Sequence, residues 1–280
     1  MKIFWFYHIA KTGGSFVEQN LRNLATSLSG ATFFNIIDGV EPDEVINLIK
    51  KLPSLPEEYI FVHHHTVKPS LLCVQPELEK CKKLLNKSED SVFIFSCLRE
   101  PIARITSAVN YWALTLDPHT GTARWKANGP DKPTFASWLI GGQRDVPQGR
   151  RFVHFLADFQ SRVLLGLLRS SRAPSKKEIQ NILSCMDAVY VTENMGEMEH
   201  DLKEIISDKN FCWNPAKRHV TNQMRSRKPD GTKGKHQTIF MTEEEKIAFL
   251  EHNKIDSWMY DYVIQMNLRR NKNGIQKESD

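Results

Sequence analysis

The chain has 280 residues, enough for one sizeable α/β domain, and its 40% hydrophobic and 25% charged content are those of a folded globular protein. A formal charge of +5 and a pI near 8.9 favour anionic ligands without implying nucleic acid. Five widely separated cysteines with no C-x-x-C argue against a disulfide framework or a zinc site, and no apolar stretch approaches the ~20 residues that span a bilayer.

In chain order, Ile3 to Ile9 is an apolar aromatic run that reads as a buried strand. It begins at Lys2 with no signal peptide ahead of it, so the expected location is the cytoplasm. Lys11 to Ser15 form a tight turn, and Phe16 to Leu28 a helix with Phe16, Leu21, Leu24 and Leu28 facing inward. A helix that starts at a glycine turn presents unpaired N–H groups and the positive end of its dipole, which suits an anion. Gly13 and Gly14 permit close approach of a phosphate, Lys11 supplies charge, and Thr12 and Ser15 supply hydroxyl donors. A nucleoside-triphosphate loop, G-x-x-x-x-G-K-[ST], places its Lys after the second Gly; here the Lys precedes both glycines.

Ala31 to Ile37 can form a short strand and Pro42 to Leu52 a helix. The next strand, from Glu58, ends in His63-His64-His65. Period-two alternation puts Phe61, His63 and His65 on one face and Ile60, Val62 and His64 on the other. Imidazoles at a strand end are suited to general-base chemistry on a hydroxyl. A zinc site would need further ligands at characteristic spacing, and none is visible. Ser91 to Leu98 reads as a central strand, apolar on both faces. It leads into Arg99-Glu100-Pro101, where a helix begins and carries Ser107 two turns on, so that a guanidinium and a hydroxyl can clamp one phosphate. Arg104 is either a further contact or a solvated helix residue.

His8-Ile-Ala-Lys-Thr-Gly-Gly-Ser15 resembles the 5′-phosphosulfate loop of PAPS-dependent sulfotransferases of the carbohydrate type, H-I-P-K-T-G-G-[ST], close to the heparan sulfate 2-O and 6-O enzymes, with Ala10 replacing the usual Pro. The stretch from Leu98 to Val109 resembles the family's 3′-phosphate motif, L-R-[DE]-P-[VI]-x-R-x-x-S-x-[YV]. The resemblance implies PAPS as sulfuryl donor and PAP as product, with Lys11, Thr12, Gly13, Gly14 and Ser15 at the 5′ end and Arg99 and Ser107 at the 3′-phosphate. It implies a base at the H-G-H position, here His65 ahead of His63, with His64 in place of the glycine. It also implies an α/β fold, one P-loop-like domain with a mainly parallel central sheet flanked by helices.

Residues 113–151 are rich in Gly and Pro and read as a long excursion with one helix near 134–139; Trp112, Trp125 and Trp138 could stack on an acceptor. Asp158-Phe-Gln-Ser-Arg-Val-Leu-Leu-Gly166 resembles the family's N-x-Q-[ST]-R-x-L-x-G helix, which makes Gln160 and Arg162 candidate acceptor-binding residues. Lys176 to Cys185 is an amphipathic helix, Ala188 to Thr192 a buried strand, and Met198 to Ile206 a helix opened by Glu193, which resembles a structural Glu of the family. The basic segment 214–236 would close over the nucleotide in related enzymes, and an anionic polymer would suit its charge. Thr242 opens a capping box, with Ile247, Phe249 and Leu250 expected to pack inward. Asp256 to Tyr262 resembles the terminal N-x-x-D-x-x-[LM]-Y helix, and 270–280 is expected to fray after a domain spanning 1–269.

The expected reaction is metal-independent sulfuryl transfer to a hydroxyl or amine of a saccharide or small molecule, with neither nucleic acid nor membrane as partner. Two other classes fit less well: a P-loop kinase, which needs a loop of another order, and a non-catalytic nucleotide- or glycan-binding module, which would have no need of Lys11, His63 and His65 together.

Overall fold

A computed structural model describes residues 1–37, 39–65, 68–86, 90–114, 157–168, 170–207, 226–227, 233–234 and 240–277. Five strands form one sheet: β1 (Lys2–Tyr7), β2 (Ala31–Ile37), β3 (Tyr59–His65), β4 (Ser91–Leu98) and β5 (Ala188–Val191). Their order is β2-β3-β1-β4-β5, and every pairing is parallel. A separate antiparallel pair joins β6 (Ser226–Arg227) and β7 (Lys233–Gly234). The expected α/β architecture with a parallel sheet flanked by helices is therefore present.

The central strands are apolar on both faces because both faces are covered. One face sets Phe4, Phe6, Phe61, Phe95 and Tyr190 against α1 (Gly14–Ser27) and α7 (Met195–Ile206). The other sets Ile3, Trp5, Ile60, Val62 and Ile94 against α2 (Pro42–Lys51), α3 (Leu71–Leu85), α5 (Phe159–Leu165), α6 (Lys176–Ser184) and α9 (Lys254–Lys277). Helix α4 (Pro101–Leu114) leaves β4, and α8 (Glu243–His252) precedes α9.

Register positions the site. Tyr7 lies opposite His64 on one side and Ser96 on the other, and Leu98 lies opposite Val191. Strands β1, β3, β4 and β5 thus end nearly level, and their outgoing loops share one rim. The chain leaves β1 toward β2 and later crosses back past β1 to reach β4, so the rim at β1 is a switch point of the kind where open parallel sheets bind ligands.

Two expectations are corrected. Phe249 is 1% exposed, but Ile247 is 62% and Leu250 37% exposed. Residues two apart on a helix point about 200° from each other, so a helix that buries Phe249 must turn Ile247 outward. Helix α9 runs to Lys277, within the segment 270–280 expected to fray. Its later turns are held by Asn267 Nδ2, which donates to the Val189 carbonyl at 3.0 Å, and by an Arg270–Asp201 ion pair at 3.0 Å. Helix α7 begins at Met195, three residues before the expected start. The helix expected near 134–139, Trp125, Trp138 and most of the basic segment 214–236 lie outside the described residues.

Candidate functional site

The turn after β1 is fixed from within. The Thr12 amide and hydroxyl both donate to the Ile9 carbonyl, at 3.3 and 2.7 Å, and Thr12 is fully buried. Its hydroxyl hydrogen is directed at the loop's own Ile9 carbonyl. The Thr192 hydroxyl, at the end of β5, lies 3.2 Å from the Thr12 carbonyl and 2.9 Å from that of Leu98, tying the turn to the neighbouring strand ends. Lys11 and Gly13 both take left-handed backbone, at φ 71° and 82°. For Gly13 this costs little; for Lys11 it is a strained conformation of the sort that clusters at ligand sites. Gly13 is the N-cap of α1 and no side chain caps the helix there, while Ser15 is exposed in its first turn.

Gly14 has a steric reason to be glycine. A Cβ at this position would lie 1.8 Å from His8 Cδ2 and 2.0 Å from His8 Nε2. The His8 ring fills the space above the helix start and begins a cluster of imidazoles. His8 Nδ1 is 2.9 Å from His63 Nε2, and His63 Nδ1 is 2.8 Å from Asn35 Oδ1 on the edge strand β2. His65 stacks on His8 with ring centroids 4.0 Å apart and planes 22° from parallel. Phe6 stacks on both His8 and His63 at 5.8 Å. Burial, followed by the neighbouring His65 and His64, holds the His63 pKa down to about 3, and burial with His65, His63 and Lys11 around it lowers that of His8 well below the usual value. Both rings are therefore neutral at physiological pH.

His64 points to the opposite face, as alternation requires. Its Nε2 donates to the Pro69 carbonyl at 3.1 Å, and its ring meets Trp5 and Tyr7 edge-on. The residue that departs from the H-G-H pattern thus packs away from the other imidazoles, and burial lowers its pKa to about 3.

The second motif meets the first. Arg99 Nη1 donates to the Lys11 carbonyl at 3.4 Å, joining residues 88 positions apart. Gln160 holds the Arg99 backbone by both ends of its amide: Oε1 accepts from Arg99 N–H at 3.0 Å and Nε2 donates to Arg99 O at 2.9 Å. Glu100 accepts from the N–H groups of Ile102 and Ala103 at 2.9 and 2.6 Å, which caps α4. Arg104 is 1% exposed, with its guanidinium 4.5 Å from the centre of the Phe159 ring, so it is not the solvated helix residue that one reading allowed. Ser107, half-buried on the same helix, lies two turns on from Arg99. Burial, then Arg99, then Arg104, depress the Lys11 pKa to about 7. Among the described residues, Arg99 Nε is buried and has no hydrogen-bond partner. Lys11, Arg99 and Arg104 are close enough to act on one another, with Asp256 beside Arg104 and Glu193 and Glu100 near Arg99 offsetting part of the charge.

Gln160 and Arg162, the candidates for acceptor binding, bond backbone groups of the fold. Gln160 is fully buried against Arg99. Arg162 donates to the carbonyls of Ala157, Leu167, Ser170 and Arg172 at 2.9 to 3.3 Å and so closes the turn after α5. Helices α5 and α9 cap each other: Asp158 Oδ1 accepts from Ile255 and Asp256 N–H, and the Asp256 carboxylate accepts from Gln160 N–H, Ser161 N–H and the Ser161 hydroxyl. Glu193 accepts from the Tyr260 hydroxyl at 3.1 Å, in keeping with a structural role.

Asn35, His8 and Thr192 were given no role from the sequence, His8 standing only as the first residue of the loop motif. His8 carried a signal, since a polar ring inside a buried strand end needs a partner; Asn35 and Thr192 are ordinary polar residues whose partners are set by strand pairing. Among the described residues no helix is long and apolar enough to cross a membrane, and no group of three or more His, Cys, Asp or Glu is arranged to hold a metal ion. No protein-family model and no curated protein sequence matches the chain.

Proposed function

We propose that the chain is a PAPS-dependent sulfotransferase acting on a hydroxyl or amine. The observation that carries this reading is the meeting of two distant motifs at one rim, where the Arg99 guanidinium reaches the Lys11 carbonyl and Lys11, Arg99 and Arg104 converge beside the uncapped start of α1. The residues fit a nucleotide bearing phosphates at both ends. Lys11 and the first N–H groups of α1 would hold the 5′-phosphosulfate, and Arg99 with Ser107 the 3′-phosphate, the feature that separates PAPS from ATP.

In the transfer, the acceptor oxygen or nitrogen forms a bond to sulfur as the bond from sulfur to the 5′-phosphate oxygen breaks. The electron pair stays on that phosphate oxygen, where Lys11 neutralises it, and the acceptor proton passes to an imidazole. His65 is the residue for this proton: both nitrogens of His63 are engaged, with Asn35 and His8, and His63 is only 2% exposed. The acceptor is a saccharide or a small molecule, and a net charge of +5 suits an anionic saccharide.

The test is PAP release from PAPS across a panel of anionic saccharides, neutral sugars, simple alcohols and amines. Wild type should transfer sulfuryl to at least one class, and Lys11→Ala should lower kcat by about a hundredfold or more, the usual effect of removing one group that stabilises developing charge. Phosphoryl transfer from ATP with Mg²⁺, and none from PAPS, would contradict the reading and favour a kinase.

A further inference from the structure

The orientation of the Asn35 amide sets the direction of the histidine cluster. Asn35 Oδ1 can only accept, so His63 Nδ1 carries the hydrogen of that 2.8 Å bond. A neutral His63 then has a bare Nε2, which must accept from His8 Nδ1–H across 2.9 Å. His8 is thereby the Nδ1–H tautomer, and its own Nε2 is left with a lone pair on the edge that faces Gly14.

The ring of His8 is also held mechanically. The backbone of Gly14 lies against its Cδ2–Nε2 edge, Phe6 stacks 13° from parallel, and His65 stacks at 4.0 Å. Turning the ring over would put a carbon where His63 needs a donor. His8, at 6% exposure, is too enclosed to meet an acceptor itself, but it is the surface on which the more open His65 lies.

We propose that Asn35, His63 and His8 form a tautomer-fixing chain that holds His8 as a platform beneath His65 and so positions the proton acceptor of the site. They are positioning residues, and their role in transfer rests on the sulfotransferase reading. The relay moves no proton in this account; it restricts ring orientation, and misplacing a reacting group by about 1 Å can cost up to a hundredfold in rate.

The experiment uses the full chain labelled with ¹⁵N-histidine, with resonances assigned by single histidine substitutions and long-range ¹H–¹⁵N spectra recorded at pH 8. Wild type should show Nδ1–H on both His63 and His8. Asn35 is exposed on an edge strand, so Asn35→Leu spares the core; it should give mixed tautomers at His63 and His8 and move the His65 ring signals. Asn35→Asp keeps an acceptor oxygen and should restore the wild-type pattern. In the transfer assay, Asn35→Leu should lower kcat about ten- to a hundredfold with KM for PAPS unchanged, and Asn35→Asp should recover most of it. Nε2–H on His8 in the wild type, or tautomers and His65 signals that Asn35→Leu leaves unchanged, would overturn the chain. If wild type transfers no sulfuryl group, the functional reading fails, while the tautomer and His65 signals still support or overturn the positioning chain.

Discussion

Lys11 combines two properties that rarely meet in one lysine: a left-handed backbone and a pKa depressed to about 7 by burial and two neighbouring guanidinium groups. A phosphate bound beside the ammonium favours its charged form, so the pKa rises in the complex. Below about pH 7 Lys11 is already protonated, and its contribution to affinity does not vary with pH. Above it the free protein has lost the proton, and affinity for PAP should fall by up to about tenfold per pH unit until the pKa of the complex is reached. At pH 8 roughly nine-tenths of free Lys11 is neutral, so binding should take up close to one proton. Titration in two buffers of different ionisation enthalpy measures this; uptake near zero in the wild type would contradict a depressed Lys11 that is recharged by the phosphate. At this scale the sequence was informative about the side of the strand taken by His63, which period-two alternation sets. It was silent on Asn35, because the pairing of β2 with β3 that brings it to His63 is a property of the sheet.

At the scale of elements, the α5–α9 clasp transmits order to the rim. Asp256, fully buried, bonds the N–H of Gln160, whose side chain in turn grips the Arg99 backbone. Asp256→Ala strands three donors, the N–H groups of Gln160 and Ser161 and the Ser161 hydroxyl, and should destabilise the fold by roughly 3 kcal/mol. Urea unfolding checks this, and a loss under about 1 kcal/mol would mean the clasp is replaceable by solvent. The motif Asp158 to Gly166 was legible as a unit, but its purpose was not. Acceptor binding was expected of Gln160 and Arg162; in the structure Gln160 holds the backbone of Arg99, far away in sequence, and Arg162 closes the local turn as far as Arg172. Gly166, at φ 70°, closes α5 and would bring a Cβ within 2.7 Å of Ser70 Oγ, which explains the glycine.

Across the whole molecule, the five strands of the parallel sheet were legible to within one or two residues, the central ones because strands buried on both faces are continuous apolar runs between turn signals, while the short β6–β7 pair was not foreseen. Their order was not written in those runs. It follows from crossovers that set β1 between β3 and β4, and this is what brings residues 8–15, 63–65, 99 and 192 to one rim. Helix α9 runs past residue 270, and its later turns carry anchors distant in sequence, Asn267 on Val189 and Arg270 on Asp201.

The central claim is that this rim reads a nucleotide through phosphates at both ends, and calorimetric titration with PAP, ATP and ADP, with and without Mg²⁺, tests it most directly. The account predicts tight, metal-independent binding of PAP, weaker binding of ADP and ATP, and loss of the preference for PAP in Arg99→Ala. Binding of ATP with Mg²⁺ in preference to PAP, or PAP affinity unchanged in Arg99→Ala, would contradict it.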